Sequence, residues 1–547
     1  MTEERTGVKK WLPLAVLALT LFIIVLDSTI INVSIKAIIG DLHTDLKAVQ
    51  WVITGYSLML AAFTITGGRL GDIFGRKRMF MIGAVIFAVG SLLASRVQSA
   101  PALLLCVVGI EGVGAAIMLP STASLILSEY RGKDRALAFG VYGAVAGAAA
   151  TIGPVVGGYL TTNYSWRWNY LINPFVVLVL LGGSVVLREA QERQHEVPDI
   201  LSIFLSAFGL ASVVFGIIES STYGWIKAKL PYEIASHHYS LHGVSISVFA
   251  IILGLVLVSL FIWRQSSLES RGKNPLVSLS IFKNKQFMAG TTTLMVAVLS
   301  QVGLVFVLPV FFQGLLGKDA FHSGIAILPF SLAILVAAPL SGILAGKCNV
   351  PNRWLVQVGL VCATIGGLLL HSELTVQSTV HTLVPGLAVF GVGFGLAFSQ
   401  LANITLSAVS VQEAGEAAGV NNTFRQIGAS LGQALIGALL IATLVSQLNR
   451  DASASSVIPP QFKTTVATAT ASSAESLGTV GGEAPGSVSQ NMAAEITRIK
   501  NDSIVHGARI GMLAATGSAV LALGLSTLLP KRAAVRGEDI DPHQGDK

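Results

Sequence analysis

The chain has 547 residues, of which 52% are hydrophobic and only 12% charged, about half the ~25% charged fraction of a soluble domain. Its formal net charge of +7 is small for that length, and the basic residues cluster in short connections. They read as topology signals for a lipid-solvated chain, not as a nucleic-acid surface. The three cysteines, Cys106, Cys348 and Cys362, lack paired spacing, which argues against a disulfide framework or a zinc site.

Residues 1–10 form a polar, basic tail, and the apolar run after it is too long for a signal-peptide core, so it is expected to be a retained first span. Apolar segments follow at 11–39, 51–68, 79–95, 102–128, 136–160, 170–187, 199–219, 243–263, 287–316, 323–346, 354–371, 383–409, 418–447 and 509–529. Each approaches the ~20 residues needed to cross a hydrocarbon core, so fourteen transmembrane helices are predicted. All seven tryptophans, including Trp11, Trp51, Trp166 and Trp354, fall at segment ends, where amphipathic rings prefer the headgroup level. Alternate connections carry the positive charge: Arg69, Arg76, Lys77 and Arg78, then Arg131, Lys133 and Arg135, then Arg188 and Arg193. That set, with both termini, is expected on the cytoplasmic side of a multi-pass cell (inner) membrane protein. The connection 449–505 is rich in Ala, Ser, Thr, Val and Gly. It is expected on the outer side as a loose hairpin, with a lid over an outer vestibule as the alternative.

Two acids lie inside apolar helices. Asp27 follows a run of leucine, isoleucine and valine, where an isolated charge costs ~2.5 kcal/mol or more, so it is a functional candidate by default. Burial favours the neutral form of a carboxyl group, which suits reversible protonation. Thr29 and Asn32 follow as cavity candidates, and Asn32, five residues on, lies near enough in helical phase to share the cavity-facing side of Asp27. Glu111 sits among small residues, Gly109, Gly112 and Gly114, which permit close helix packing. It fits either a cavity-facing proton or cation site or a neutral acid bonded to an adjacent helix; spacing does not choose. Gln301, Asn403, Thr405 and Arg425 are further polar candidates for a substrate cavity. Interhelical hydrogen bonds, or snorkelling for Arg425, are their plainer accounts.

Between the second and third segments runs Gly68-Arg69-Leu70-Gly71-Asp72-Ile73-Phe74-Gly75-Arg76-Lys77-Arg78. Its glycines permit a tight turn and its mixed charges can form ion pairs that open and reclose. This stretch resembles the signature loop of the major facilitator superfamily. Leu26-Asp27-Ser28-Thr29 with Asn32 resembles the first-helix motif of that family's fourteen-helix drug:proton antiporters. Gly140, Gly153-Pro154 and Gly157-Gly158 resemble their fifth-helix antiporter motif, and Asn173-Pro174 and Asn421-Asn422-Thr423-Phe424-Arg425 resemble later signatures. The likeness covers nearly the whole chain outside the long connection and the tails.

The resemblance implies an all-α polytopic fold of two six-helix bundles, residues 11–190 and 266–530, with two inserted helices at 191–265 and a tail at 531–547. It implies alternating access, with Gly68, Asp72, Gly75, Arg76, Lys77 and Arg135 at a conformational gate and no cofactor beyond a proton gradient. Small molecules, protons and membrane lipids are the implied partners, and a monomer suffices. The implied activity is proton-coupled multidrug efflux of amphipathic or cationic compounds, conferring antibiotic resistance; it is not an enzyme. Export of a physiological solute such as a lipid, siderophore or amino acid is the alternative, followed by a non-transporting membrane receptor. The sequence departs from the family at Val108, where an arginine is usual, and at Glu111. We therefore expect Asp27 and Glu111 to form a coupled carboxylate pair in place of an arginine relay.

Overall fold

A computed structural model describes residues 7–531 except 45, 190–198, 229–231, 235–236, 240–242, 274, 319, 411–412 and 459–489. Fourteen helices among them are long and apolar enough to cross a membrane. They are α1 (Leu12–Leu42), α2 (Leu46–Phe74), α3 (Arg76–Ala94) and α4 (Ala100–Glu129, containing a π segment at Leu105–Glu111). Then come α5 (Gly132–Asn163), α6 (Arg167–Gly183), α7 (Ile200–Tyr223) and α8 (Ile246–Ser270). The last six are α9 (Lys285–Gly314), α10 (Ala320–Gly346), α11 (Asn352–Glu373), α12 (Val380–Leu406), α13 (Ala414–Ala454) and α14 (Gln490–Leu525).

Local chemistry sets the helix limits. Proline at the start of α1 is pre-organised for a first turn, and Trp11 stacks on Tyr130 at 5.4 Å to hold that entry. Gly75, at φ +104°, breaks α2 from α3 in a region open mainly to glycine. Asn284 caps α9 by accepting from the Gln286 and Phe287 amides at 3.0 and 3.2 Å. Thr379 and Thr382 cap α12 reciprocally.

In the first bundle α1 packs on α5, α4 on α2 and α3, and α6 on α3; in the second α9 packs on α13 and α14, and α12 on α10 and α11. Among the described residues the bundles join chiefly through α5 with α10 and α2 with α13, and also through α5 with α12 and α4 with α13. The inserted helices α7 and α8 pack on each other, and α7 lies against both α2 and α13. The outer face of α8 is apolar and exposed, for example Ile252, Leu253, Val256 and Trp263, as a lipid-facing helix requires.

One small element is added and one boundary changes. A short antiparallel hairpin, β1 (Tyr232–Ile234) and β2 (His237–Tyr239), decorates the α7–α8 connection of the otherwise helical fold. The long connection is also shorter than 449–505, because α13 runs on to Ala454 and α14 begins at Gln490, well before position 509. Charge hid that helix from a hydropathy reading. Met492, Ile499 and Ile504 bury into the second bundle's core, while Arg498 pairs with Glu495 at 2.8 Å and Asp502 at 3.1 Å on the other face. The middle of the connection, 459–489, lies outside the described residues.

Candidate functional site

The first bundle encloses a polar cluster in otherwise apolar surroundings. Asp27 of α1 is 4% exposed and Glu111 of α4 is 0% exposed. Both meet one amide: Asn173 Nδ2, on α6, lies 2.8 Å from Asp27 Oδ1, 3.1 Å from Glu111 Oε1 and 2.7 Å from Ser91 Oγ of α3. Ser91 in turn donates to the Tyr170 carbonyl at 3.0 Å. Asn173 has two amide hydrogens and faces three acceptors, so the cluster cannot satisfy every oxygen at once. Glu111 Oε2, Asn173 Oδ1 and the hydroxyls of Tyr56 and Tyr170 are buried with no hydrogen-bond partner among the described residues. Such groups are rare in a native interior and mark a site whose polar needs change.

Glu111 reaches the cluster because its backbone is drawn close to α3. A Cβ on Gly90 would lie 2.5 Å from the Glu111 nitrogen and 2.8 Å from its Cα, so only glycine fits there. The acid closes a π segment, an irregularity often found at functional sites. Val108, where relatives of the resembled family carry arginine, faces Gly55 of α2, whose added Cβ would stand 2.7 Å from it. The contact is apolar, and no cation stands beside the acids among the described residues. Glu111 meets an adjacent helix through Asn173, and that same contact joins it to Asp27.

Thr29 bonds the carbonyls of Val25 and Leu26 at 3.2 and 2.9 Å and abuts Gly153 of α5. It therefore lies at the α1–α5 contact. Asn32 lies outside the described side chains.

A second constellation closes the end of the bundles that carries the basic loops. Gly68 of α2 meets the Gly415 carbonyl of α13, backbone against backbone. Arg69 pairs with Glu416 at 2.6 Å, each side chain 5% exposed. Asp72 accepts from Arg76 at 2.8 and 2.9 Å and from the Glu416 amide at 3.2 Å, and Glu416 also accepts from the Ser278 amide at 3.0 Å. Lys77 stands apart, bonding the Leu187 carbonyl at 2.9 Å while its own amide donates to Glu189. Arg135 is buried near the start of α5. The sequence reading omitted Arg69 from the gate and missed Glu416 altogether. An acid in the first turn of an apolar helix, opposite the only arginine inside the glycine-rich end of α2, was the available signal.

The fifth-helix glycines line the other joint. An added Cβ on Gly140 would lie 2.8 Å from the Ala338 carbonyl, and one on Gly158 3.3 Å from Phe321, both on α10; Pro154 touches Gly324, and Gly157 is buried. In the second bundle Thr405 bonds the Leu401 carbonyl at 2.6 Å and abuts Gly290, while Asn403 accepts from Ser407 at 3.3 Å. Both serve helix packing at the basic end of α12. Gln301 is half-buried on α9. Arg425 is half-buried, eleven residues into α13, roughly 16 Å from its start at 1.5 Å per residue. Its Nε donates to Asn422 at 3.2 Å, and Asn422 reaches Thr64 of α2 at 3.2 Å.

The sequence profile of the Major Facilitator Superfamily matches residues 17–433. The chain is 32% identical over 447 residues to a probable actinorhodin transporter of Streptomyces coelicolor, covering 80% of this chain and 74% of that protein. It is 27% identical to the multidrug resistance protein Stp of Mycobacterium tuberculosis, covering 97% and 94% of the two chains. It is also 27% identical to a tetracenomycin C resistance and export protein of Streptomyces glaucescens, covering 96% and 92%. Among solved structures, the human organic anion transporter TETRAN shares the fold with a TM-score of 0.56 at 10% identity, over 95% of this chain and all of that one. With fourteen spanning helices, two bundles and a family match over most of its length, the chain is a multi-pass membrane transporter, not an enzyme, and belongs to the major facilitator superfamily.

Proposed function

We propose that this protein exports amphipathic small molecules in exchange for protons, by alternating access about the two bundle joints. The observation that carries the reading is the single Asn173 amide bridging Asp27 and Glu111. Two carboxyls that share one donor titrate as a unit, and the donor can follow whichever of them is charged. The unpartnered oxygens around them give an arriving proton somewhere to be shared. The direction of transport draws on relatives named for resistance and export. Two six-helix units, 11–190 and 266–530, would rock about a midplane site with 191–265 riding beside them. By the positive-inside rule the basic end faces the cytoplasm, with both termini there and the chain in the cell membrane. The Arg69–Glu416 closure then belongs to a state shut toward the cytoplasm. A monomer contains every group the reading needs.

The test is dye accumulation in inverted vesicles with an imposed pH gradient. Asp27→Asn and Glu111→Gln are each expected to lose gradient-driven flux, and an uncoupler should abolish it in the wild type. Unchanged gradient-driven flux in both variants would eliminate the pair as the coupling site.

A further inference from the structure

The proton pair is poorly placed to recognise a substrate. Asp27 and Glu111 are 4% and 0% exposed and are tied to Asn173 inside one bundle, so the space around them suits a proton, not a drug-sized cation. The charges of the closure compensate one another, Arg69 with Glu416 and Asp72 with Arg76. Arg425 is different. It lies deep in α13 on the side turned to the first bundle, because Asn422, one turn earlier, bonds Thr64 of α2 and the Tyr142 phenol of α5 lies within electrostatic reach. A guanidinium has five N–H donors, and the structure gives it one acceptor, Asn422 Oδ1. No carboxylate stands beside it among the described residues.

A cation at that depth is costly without a partner, and its remaining donors form a planar fork suited to a carboxylate. It is half-buried and held toward α2 by Asn422. The Tyr142 phenol within its electrostatic reach belongs to a ring edge-on to Phe139 at 6.3 Å, and an aromatic surface near a cation suits a flat amphipathic acid.

We propose that Arg425 is the binding site for the acidic group of the exported substrate, a carboxylate or ionised phenol on an amphipathic ring system. The proposal rests on the exporter reading above and names its substrate class. It also gives the two bundles separate tasks: the first carries protons, the second holds the anion.

Equilibrium binding of 1-pyrenebutyrate and its uncharged amide, 1-pyrenebutyramide, to purified protein in neutral detergent tests this without any gradient. The wild type is expected to bind the carboxylate at least about tenfold tighter than the amide, as a charge-assisted fork requires. R425Q is expected to bind both equally, with its amide affinity unchanged, and R425K to retain part of the preference. D27N should keep the preference while losing gradient-driven flux, so a failure of proton coupling and a failure of the anion site are read separately. A wild type that binds the carboxylate no tighter than the amide overturns the proposal, and this arm depends on no variant folding. An undiminished preference in R425Q overturns it equally.

Discussion

The two joints between the bundles do the same mechanical work with different chemistry. The α5–α10 joint is built from glycine, proline and aliphatic surface along its length, from Gly140 against Ala338 to Gly158 against Phe321. The α2–α13 joint meets over the basic half of each helix, from Thr64 and Gly419 to Asp72 and Gly415, and ends in buried ion pairs. Glycine contacts are held by dispersion between close backbones, and they tolerate small rotations without any discrete bond breaking. Buried ion pairs are either made or not, and a broken one leaves charges without partners. The first joint therefore suits a pivot, and the second a latch with two states. Both need glycine at the contact, but only the latch adds charge.

The contrast breaks first at the pivot. Gly140→Val should abolish efflux, with the protein still reaching the membrane, because its Cβ would sit 2.8 Å from a backbone carbonyl that cannot rotate away. Overpacking typically costs ~1–3 kcal/mol, and here relief requires parting α5 from α10. Dye efflux at wild-type rate would show that the pivot does not depend on that approach.

The latch should respond differently, by opening. Glu416→Ala leaves Arg69 buried without its carboxylate and removes the acceptor of the Ser278 amide. Removing one partner of a buried pair costs about 3–5 kcal/mol, all of it charged to the closed state. Hydrogen exchange should accelerate in residues 64–74 and not along α5, and R69E combined with E416R should restore protection. Equal protection in wild type and E416A would mean that the glycine contacts alone hold this end shut.

Much of this was legible in the sequence, for identifiable reasons. Spanning helices announce themselves because each must be apolar for about 20 residues, so all fourteen were found. The start of α14 was not, because Glu495, Arg498 and Asp502 neutralise one another along its polar face and lower the hydropathy that marks a span. Asp27 and Glu111 were conspicuous as acids in apolar runs. Asn173 was noticed only as part of a motif, since a neutral amide carries no charge signature and its role depends on α1, α3, α4 and α6 converging. Glu416 escaped for a related reason: a pair 347 positions apart in sequence has no local pattern. What sequence conveys poorly is which polar groups share a partner.

The smallest effect should come from the brace beside the latch. The inserted helix α7 lies against both α2 and α13, and Trp51 of α2 stacks on its Phe215 at 5.6 Å. Asp199 caps α7 by accepting from the Ser202 amide at 3.2 Å and ties it to α8 through Arg264 at 3.1 Å. The Arg264 guanidinium holds the Asp199 carboxyl below its ordinary range. Because the folded value is depressed, the stabilisation is present above the unfolded value of about 3.9 and is lost as pH falls through the folded value. Both side chains are partly exposed, 28% for Arg264 and 23% for Asp199, so the pair is worth only ~0.2–1 kcal/mol. Asp199→Asn keeps a capping side chain and removes the charge. It should lower the unfolding temperature slightly at pH 7, and the gap should hold down to about pH 4 and shrink only as the pH is taken from there to 3. A gap that stays constant would assign the effect to capping geometry and leave the ion pair without a part in bracing the latch.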